Sequence, residues 1–160
     1  MSHVITESCI GCQVCAIKCP TEAITGGKKE LHVIDPALCI DCSVCGKYCP
    51  VECIYDDDGD MVNKYKPKEM PKAVVDIDAC TGCDYCVTVC PFDCIELVDA
   101  PEREAMGLPQ WTAIVHEKEC VGCRLCEQVC IKEAIWVPEF VGGNRIQKKY
   151  WPGQGYHATR

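Results

Sequence analysis

The chain has 160 residues, of which 18 are cysteine, two are phenylalanine and three are tryptophan. Cysteine stands above the roughly 8–10% that marks a cysteine-built scaffold, and so few large apolar side chains call for metal or disulfide staples. A formal net charge of −8 argues against nucleic acid as a partner, since nucleic acid attracts basic proteins, and no run of about 18 apolar residues is available to span a membrane.

From Met1 to Cys9 there is no basic segment, apolar stretch or small-residue cleavage site of a secretory leader. The expected location is therefore the reducing cytoplasm, where dense cysteine means metal or redox chemistry. A β-branched pair, Val4-Ile5, precedes the first cysteine run, Cys9, Cys12, Cys15 and Cys19. Pro20-Thr21-Glu22-Ala23-Ile24 follows, then the turn signal Gly26-Gly27. The second unit repeats the order: Val33-Ile34, then Cys39, Cys42, Cys45 and Cys49, then Pro50-Val51-Glu52-Cys53-Ile54. The stretch from Asp56 through Pro67 to Pro71 is polar and proline-bearing, and reads as a linker over residues 57–71. The third unit is Val74-Val75, then Cys80, Cys83, Cys86 and Cys90, then Pro91-Phe92-Asp93-Cys94-Ile95. An insertion from Asp99 to Gln110 carries Pro101, Gly107 and Pro109, which break any long helix. The fourth unit is Ile114-Val115, then Cys120, Cys123, Cys126 and Cys130, then Ile131-Lys132-Glu133-Ala134-Ile135. Each unit thus reads as strand, cysteine loop, one or two helical turns, strand.

All four runs share the spacing C-x2-C-x2-C-x3-C. Three thiolates on one tight loop can each reach a different iron of a cubane. The fourth cysteine, expected already inside a helix pointing away, is free to reach a neighbouring cluster, as it does in two-cluster ferredoxins. Gly11, Gly82 and Gly122 fall inside the first C-x2-C of their runs, where a wrapping loop needs positive φ, and Asp41 holds that place in the second run. Zinc fits poorly, because its sites use two separated cysteine pairs and leave the third close cysteine without a place. A disulfide framework lacks its oxidising compartment.

On these residues the chain resembles the bacterial-type two-[4Fe–4S] ferredoxins, duplicated. The resemblance implies an α+β fold of two ferredoxin-like (βαβ)2 modules, at residues 1–56 and 72–137, with an extended tail over 138–160. It implies four [4Fe–4S] clusters. Two pairings of the runs remain open: tandem (one with two, three with four), which is favoured, and nested (one with four, two with three). Under tandem pairing the ligand sets are Cys9, Cys12, Cys15 and Cys49; Cys39, Cys42, Cys45 and Cys19; Cys80, Cys83, Cys86 and Cys130; and Cys120, Cys123, Cys126 and Cys90.

Cys53 and Cys94 are left over and align with Ala23 and Ala134, so small buried side chains are expected there. His3, His32 and His116 are expected to pack in or beside strands, and Tyr48, Tyr55, Tyr85, Phe92 and Trp136 to shield clusters from water. Beyond Pro138 the sequence turns basic and aromatic, with Arg145, Lys148, Lys149, Tyr150, Trp151 and Arg160. Such residues are favoured interface anchors and suggest an arm lying on a partner. The chain is similar in these respects to the four-cluster, ferredoxin-like subunits of tungsten enzymes of the aldehyde oxidoreductase family, including tungsten-type benzoyl-CoA reductases. That similarity implies an electron-transfer subunit without a catalytic site of its own. Its partner would be a larger tungsten or molybdenum subunit of an anaerobic enzyme, with further redox subunits possible. A free, soluble polyferredoxin is the alternative. No phosphate loop or dinucleotide fingerprint is present.

Overall fold

The computed structural model describes residues 2–66, 68–141 and 144–146. The chain divides into two compact units, Met1–Met70 and Pro71–Arg160. In the first, β1 (Val4–Ile5), α1 (Val14–Lys18), β2 (Ile24–Thr25), β3 (Val33–Ile34), α2 (Val44–Tyr48) and β4 (Ile54–Tyr55) follow in order. The first strand pairs with the last, β1 antiparallel to β4 with Val4 opposite Tyr55, and β2 pairs with β3 with Ile24 opposite Ile34. Helices of five residues are too short to persist alone; here α1 packs on α2.

The second unit repeats the plan with β5 (Val74–Val75), α3 (Tyr85–Thr88), β6 (Ile95–Asp99), β7 (Trp111–Val115), α4 (Leu125–Val129) and β8 (Ile135–Trp136). Again the outer strands pair, β5 with β8, and the inner strands pair, β6 with β7. The inner ladder is longer here, running from Ile95 opposite Val115 to Asp99 opposite Trp111. The insertion it carries folds into a 3₁₀ helix, Pro101–Met106, which starts on a proline and stops at Gly107 with φ of 75°. Beyond Pro138, β9 (Glu139–Val141) pairs antiparallel with β10 (Asn144–Ile146), where an extended arm was expected. Lys148, Lys149, Tyr150, Trp151 and Arg160, on which the arm reading chiefly rests, lie outside the described residues.

Two expectations are corrected. Helix was expected to hold the fourth cysteine of each run. Instead the helix opens just before the third and ends before the fourth: Cys15, Cys45, Cys86 and Cys126 are helical, while Cys19, Cys49 and Cys130 are extended with ψ of 120°, 118° and 103°. Proline disfavours helix in the residue before it, which accounts for Cys19 and Cys49. Cys130 precedes Ile131 and adopts the same conformation, so the loop geometry itself also demands it. The segment after Asp56 is likewise no free linker. Val62 donates its N–H to the Ile54 carbonyl at 2.9 Å, Tyr65 donates to the Lys47 carbonyl at 3.0 Å, and Met61 bridges to Tyr55. This segment folds back on the first unit, with the Val62 side chain over Gly46.

Large apolar side chains are scarce in both interiors. The first is built on Ala23, Ile24, Ile34 and Ile54 with Cys15, Cys45, Cys49 and Cys53. In the second, Val75, Ile95, Ile135 and Val137 pack with small alanines and five cysteines. Close backbone approach helps to lock this arrangement. At Gly122, φ is 72° and a Cβ would fall 2.4 Å from the Pro71 carbonyl oxygen. Gly122→Ala therefore meets both the left-handed penalty of about 1–2 kcal/mol and a backbone collision, and is expected to lower the melting midpoint by more than about 5 °C. Gly107→Ala, with φ of 75° and no neighbour within 4 Å, should cost only the first part. Thermal melts of the two variants side by side check this, and equal midpoints would refute the close approach.

Candidate metal centres

The fold brings the sixteen cysteines of the runs together in four groups. Cys80, Cys83 and Cys86 line one cavity with Cys130, among Val75, Leu97, Ala113, Ala134 and Ile135. Cys39, Cys42 and Cys45 line a second with Cys19, among Ala23, Ile24 and Ile34. Cys120, Cys123 and Cys126 line a third with Cys90, among Ala73, Phe92, Ile95 and Val137. The remaining four are Cys9, Cys12, Cys15 and Cys49, and the first two and the last lie near enough to Cys15 to raise its thiol. In every group three cysteines come from one run and the fourth from the other run of the same unit, as the antiparallel closure of the strands requires.

Backbone conformation shapes these loops. Left-handed residues recur at three equivalent places in each run. The first place is Gly11, Asp41, Gly82 and Gly122; the second is Gln13, Ser43, Asp84 and Arg124; the third is Glu22, Glu52, Asp93 and Glu133. The four residues at the second place open the helices without a side-chain cap. Left-handed turns of this kind gather backbone N–H groups into anion-binding concavities. Several donate to sulfur, Gly11 to Cys9 at 3.4 Å, Ala23 to Cys19 at 3.3 Å and Ala134 to Cys130 at 3.2 Å, and Ala73 beside β5 donates to Cys120 at 3.5 Å. His3 braces the second loop, its Nδ1 2.8 Å from Asp41 Oδ1 and its Nε2 3.0 Å from Ser43 Oγ. It thereby pins two left-handed residues, one of them where the other runs have glycine.

Cys53 and Cys94 are both 3% exposed, as expected of small buried side chains. They also carry a role that the sequence did not reveal. Cys53 Sγ lies 3.5 Å from Cys49 Sγ, and Cys94 Sγ 3.3 Å from Cys90 Sγ. Burial and its bond to Cys49 push the Cys53 thiol up to about 12. Cys94 is pushed far up, first by its bond to Cys120 and then by burial, while the same bond pulls Cys120 down to about 6. Each thus sits against sulfurs of a single group.

Burial dominates the third cysteines, raising Cys15 and Cys86 to about 11, Cys45 to about 12, and Cys126 upward as well. Metal binding therefore displaces protons from these thiols. The residues fit a polynuclear cluster. Among the described residues no three His, Cys, Asp or Glu side chains are arranged to hold a single metal ion. At the Cys80, Cys39 and Cys120 groups the four cysteines instead line one small, largely apolar cavity of about 20 Å³ each.

The aromatic side chains divide. Phe92 lines the Cys120 cavity and Trp136 is buried, whereas Tyr85 borders the Cys80 cavity and is 53% exposed. Tyr48 lies under the Lys18 ammonium, 5.6 Å from its ring centre. His32 is buried and reaches the Glu30 carbonyl at 3.0 Å, and His116 meets Glu96 at 3.1 Å beside its strand.

Comparison with known proteins agrees with this donor chemistry. Residues 79–134 and residues 31–91 each match a 4Fe–4S dicluster domain, and residues 3–25 match a 4Fe–4S binding domain. The chain carries tandem 4Fe–4S ferredoxin domains. Such domains are electron carriers. The match over 31–91 joins runs two and three, which fold into different units; any two consecutive runs satisfy a two-run pattern, whichever of them share cavities. The chain is 53% identical over 38 residues to ferredoxin Fdx2 of Sorangium cellulosum. It is 44% identical over 34 residues to a subunit of the ion-translocating oxidoreductase complex of Rhodobacter capsulatus. These matches cover 24% and 21% of the chain, and only 37% and 18% of the relatives' own lengths. A chain in the formate dehydrogenase–heterodisulfide reductase–formylmethanofuran dehydrogenase complex of Methanospirillum hungatei is similar at 21% identity, with a TM-score of 0.43, covering 98% of this chain and 56% of that one. Among the described residues no helix is long and apolar enough to cross a membrane.

Proposed function

We propose that this ferredoxin-type protein is the electron-transfer subunit of a larger oxidoreductase, holding four [4Fe–4S] clusters and lacking a catalytic site of its own. The observation that carries this reading is the gathering of sixteen thiols into four groups of four. The groups correspond to tandem pairing: Cys9, Cys12, Cys15 and Cys49; Cys19, Cys39, Cys42 and Cys45; Cys80, Cys83, Cys86 and Cys130; Cys90, Cys120, Cys123 and Cys126. Each compact unit is then a two-cluster module of (βαβ)2 type, a plan favoured by the pairing of its outer and inner strands. When bound, the clusters supply one-electron storage. The chain's own contribution is to present thiolates, aim N–H and S–H donors at them, and exclude water with small apolar side chains.

The partner is proposed to be a catalytic subunit of a cytoplasmic, anaerobic enzyme of the tungsten or molybdenum class, on the strength of the family resemblance and the basic, aromatic C-terminal sequence. The likeness over 38 residues to a ferredoxin favours the second reading, a freely diffusing polyferredoxin. A native mass of the purified complex separates them, since a lone monomer sinks the subunit reading. Iron and acid-labile sulfide analysis tests the clusters themselves. About 16 iron per chain is expected from four cubanes, and a chain holding zinc without iron overturns the proposal.

A further inference from the structure

Arg103 lies in the 3₁₀ helix of the insertion between β6 and β7 and is 2% exposed. One guanidinium nitrogen donates to the Trp111 carbonyl at 2.6 Å; another donates to the Cys80 carbonyl at 2.8 Å and to the Ile77 carbonyl. Nε has no partner, and among the described residues no Asp or Glu lies within ion-pair distance of the group. A guanidinium stays protonated. Carbonyl dipoles solvate a buried cation without neutralising it, and an uncompensated buried charge is strongly destabilising. The missing negative charge must come from a neighbour, and the guanidinium grips the residue whose thiol opens the Cys80, Cys83, Cys86 and Cys130 group.

Resting on the cluster reading above, we propose that Arg103 is the counter-charge of the cluster held by Cys80, Cys83, Cys86 and Cys130 and sets its reduction potential above that of its counterparts in the first unit. At the other end of the same unit the buried Lys72 donates from Nζ to the Cys120 carbonyl at 2.5 Å, so a cationic side chain reaches the first carbonyl of that loop too. In the first unit the buried polar side chains among the described residues are His3 and His32, and its lysines are half-buried or exposed, where water and salt screen them. Reduction brings in one electron from an external one-electron donor and moves no proton, because Arg103 is already charged. A fixed positive charge in a weakly screened interior favours the more negative oxidation state, so the potential rises. The insertion, which has no counterpart in the first unit, is the device that delivers this charge.

The test is a redox titration of the full-length, iron-loaded chain followed by electron paramagnetic resonance. Arg103→Gln should lower one midpoint by at least tenfold in the reduction equilibrium, ~59 mV for one electron, and leave the other three in place. Arg103→Lys, which keeps charge but loses the fork, should recover most of that shift; a merely structural latch would fail to be rescued by charge. If Arg103→Gln does not fold, the order of the wild-type midpoints carries the test. Unmoved midpoints in a neutral variant with full iron content overturn the proposal. In the wild type the midpoint of the Cys80 group should lie above both midpoints of the first unit, and the reverse order overturns the proposal without any variant. A wild-type chain that takes up no iron instead refutes the cluster reading on which this inference stands.

Discussion

Cys19→Ala is expected to strip iron from the group of Cys39, Cys42 and Cys45, thirty residues downstream of the run in which the substitution lies. The reason is the swap of fourth ligands: Cys19 lines the cavity of the second run and Cys49 completes that of the first. The protein should fall from about 16 to about 12 iron per chain. Alkylation under native conditions, read by mass spectrometry, should now label Cys39, Cys42 and Cys45 and spare Cys120, Cys123 and Cys126. Nested pairing demands the opposite, with the fourth run labelled and the second protected, and that outcome would sink the ligand sets proposed here. Cys53 does not rescue the variant, because it sits against Cys49 and Cys9, in the other group.

Removal of iron is expected to unfold the chain rather than leave an empty scaffold. Among the described residues the buried non-cysteine members of the first interior cluster are three isoleucines and one alanine, with Ile5 and Ala16 packed against them, too little apolar area to offset chain entropy. The loops carry a further cost. Nine non-glycine residues in the cysteine runs and just after them are held left-handed, a conformation that costs about 1–2 kcal/mol per residue for L-amino acids. Without metal the third cysteines also remain neutral thiols, so the loops lose both their bonds and their template. Anaerobic chelation followed by circular dichroism and amide exchange should show loss of strand signal and of protection together, with recovery when iron and sulfide are restored. A metal-free chain that keeps native protection at Ile24, Ile34 and Ile54 would show that the apolar core suffices.

Much of this was legible in the sequence because the chemistry of a cubane fixes thiol spacing, and the β-branched pairs flanking each run mark the strands that close around it. Positive φ at Gly11, Asp41, Gly82 and Gly122 was legible too, since glycine and aspartate advertise it. Gln13, Arg124, Glu22 and Glu133 adopt the same conformation and advertise nothing; only their register with Ser43, Asp84, Glu52 and Asp93 in the repeat could have pointed to them. Helix placement was misjudged because the short helix is set by the loop's need to turn its third thiol inward, which local propensity does not record. The stretch after Asp56 reads as a linker by composition, yet its backbone satisfies itself on Ile54 and Lys47. In the sequence Arg103 is one charged residue of a proline-bearing insertion. Its importance lies in the carbonyls it gathers, Trp111 eight residues on and Ile77 and Cys80 more than twenty residues back, and no spacing rule reaches the last two.

The exchanged fourth cysteine also bears on how the protein is made. The group of Cys9, Cys12 and Cys15 stays one thiol short until Cys49 has emerged from the ribosome, 34 residues after Cys15. At ~5–20 residues per second that interval is about 2–7 s, during which an incomplete trio of thiols is open to oxidation or to the wrong metal. On the proposed ligand sets, cluster insertion waits for a whole unit, and half a unit cut at Gly26-Gly27 is expected not to mature by itself.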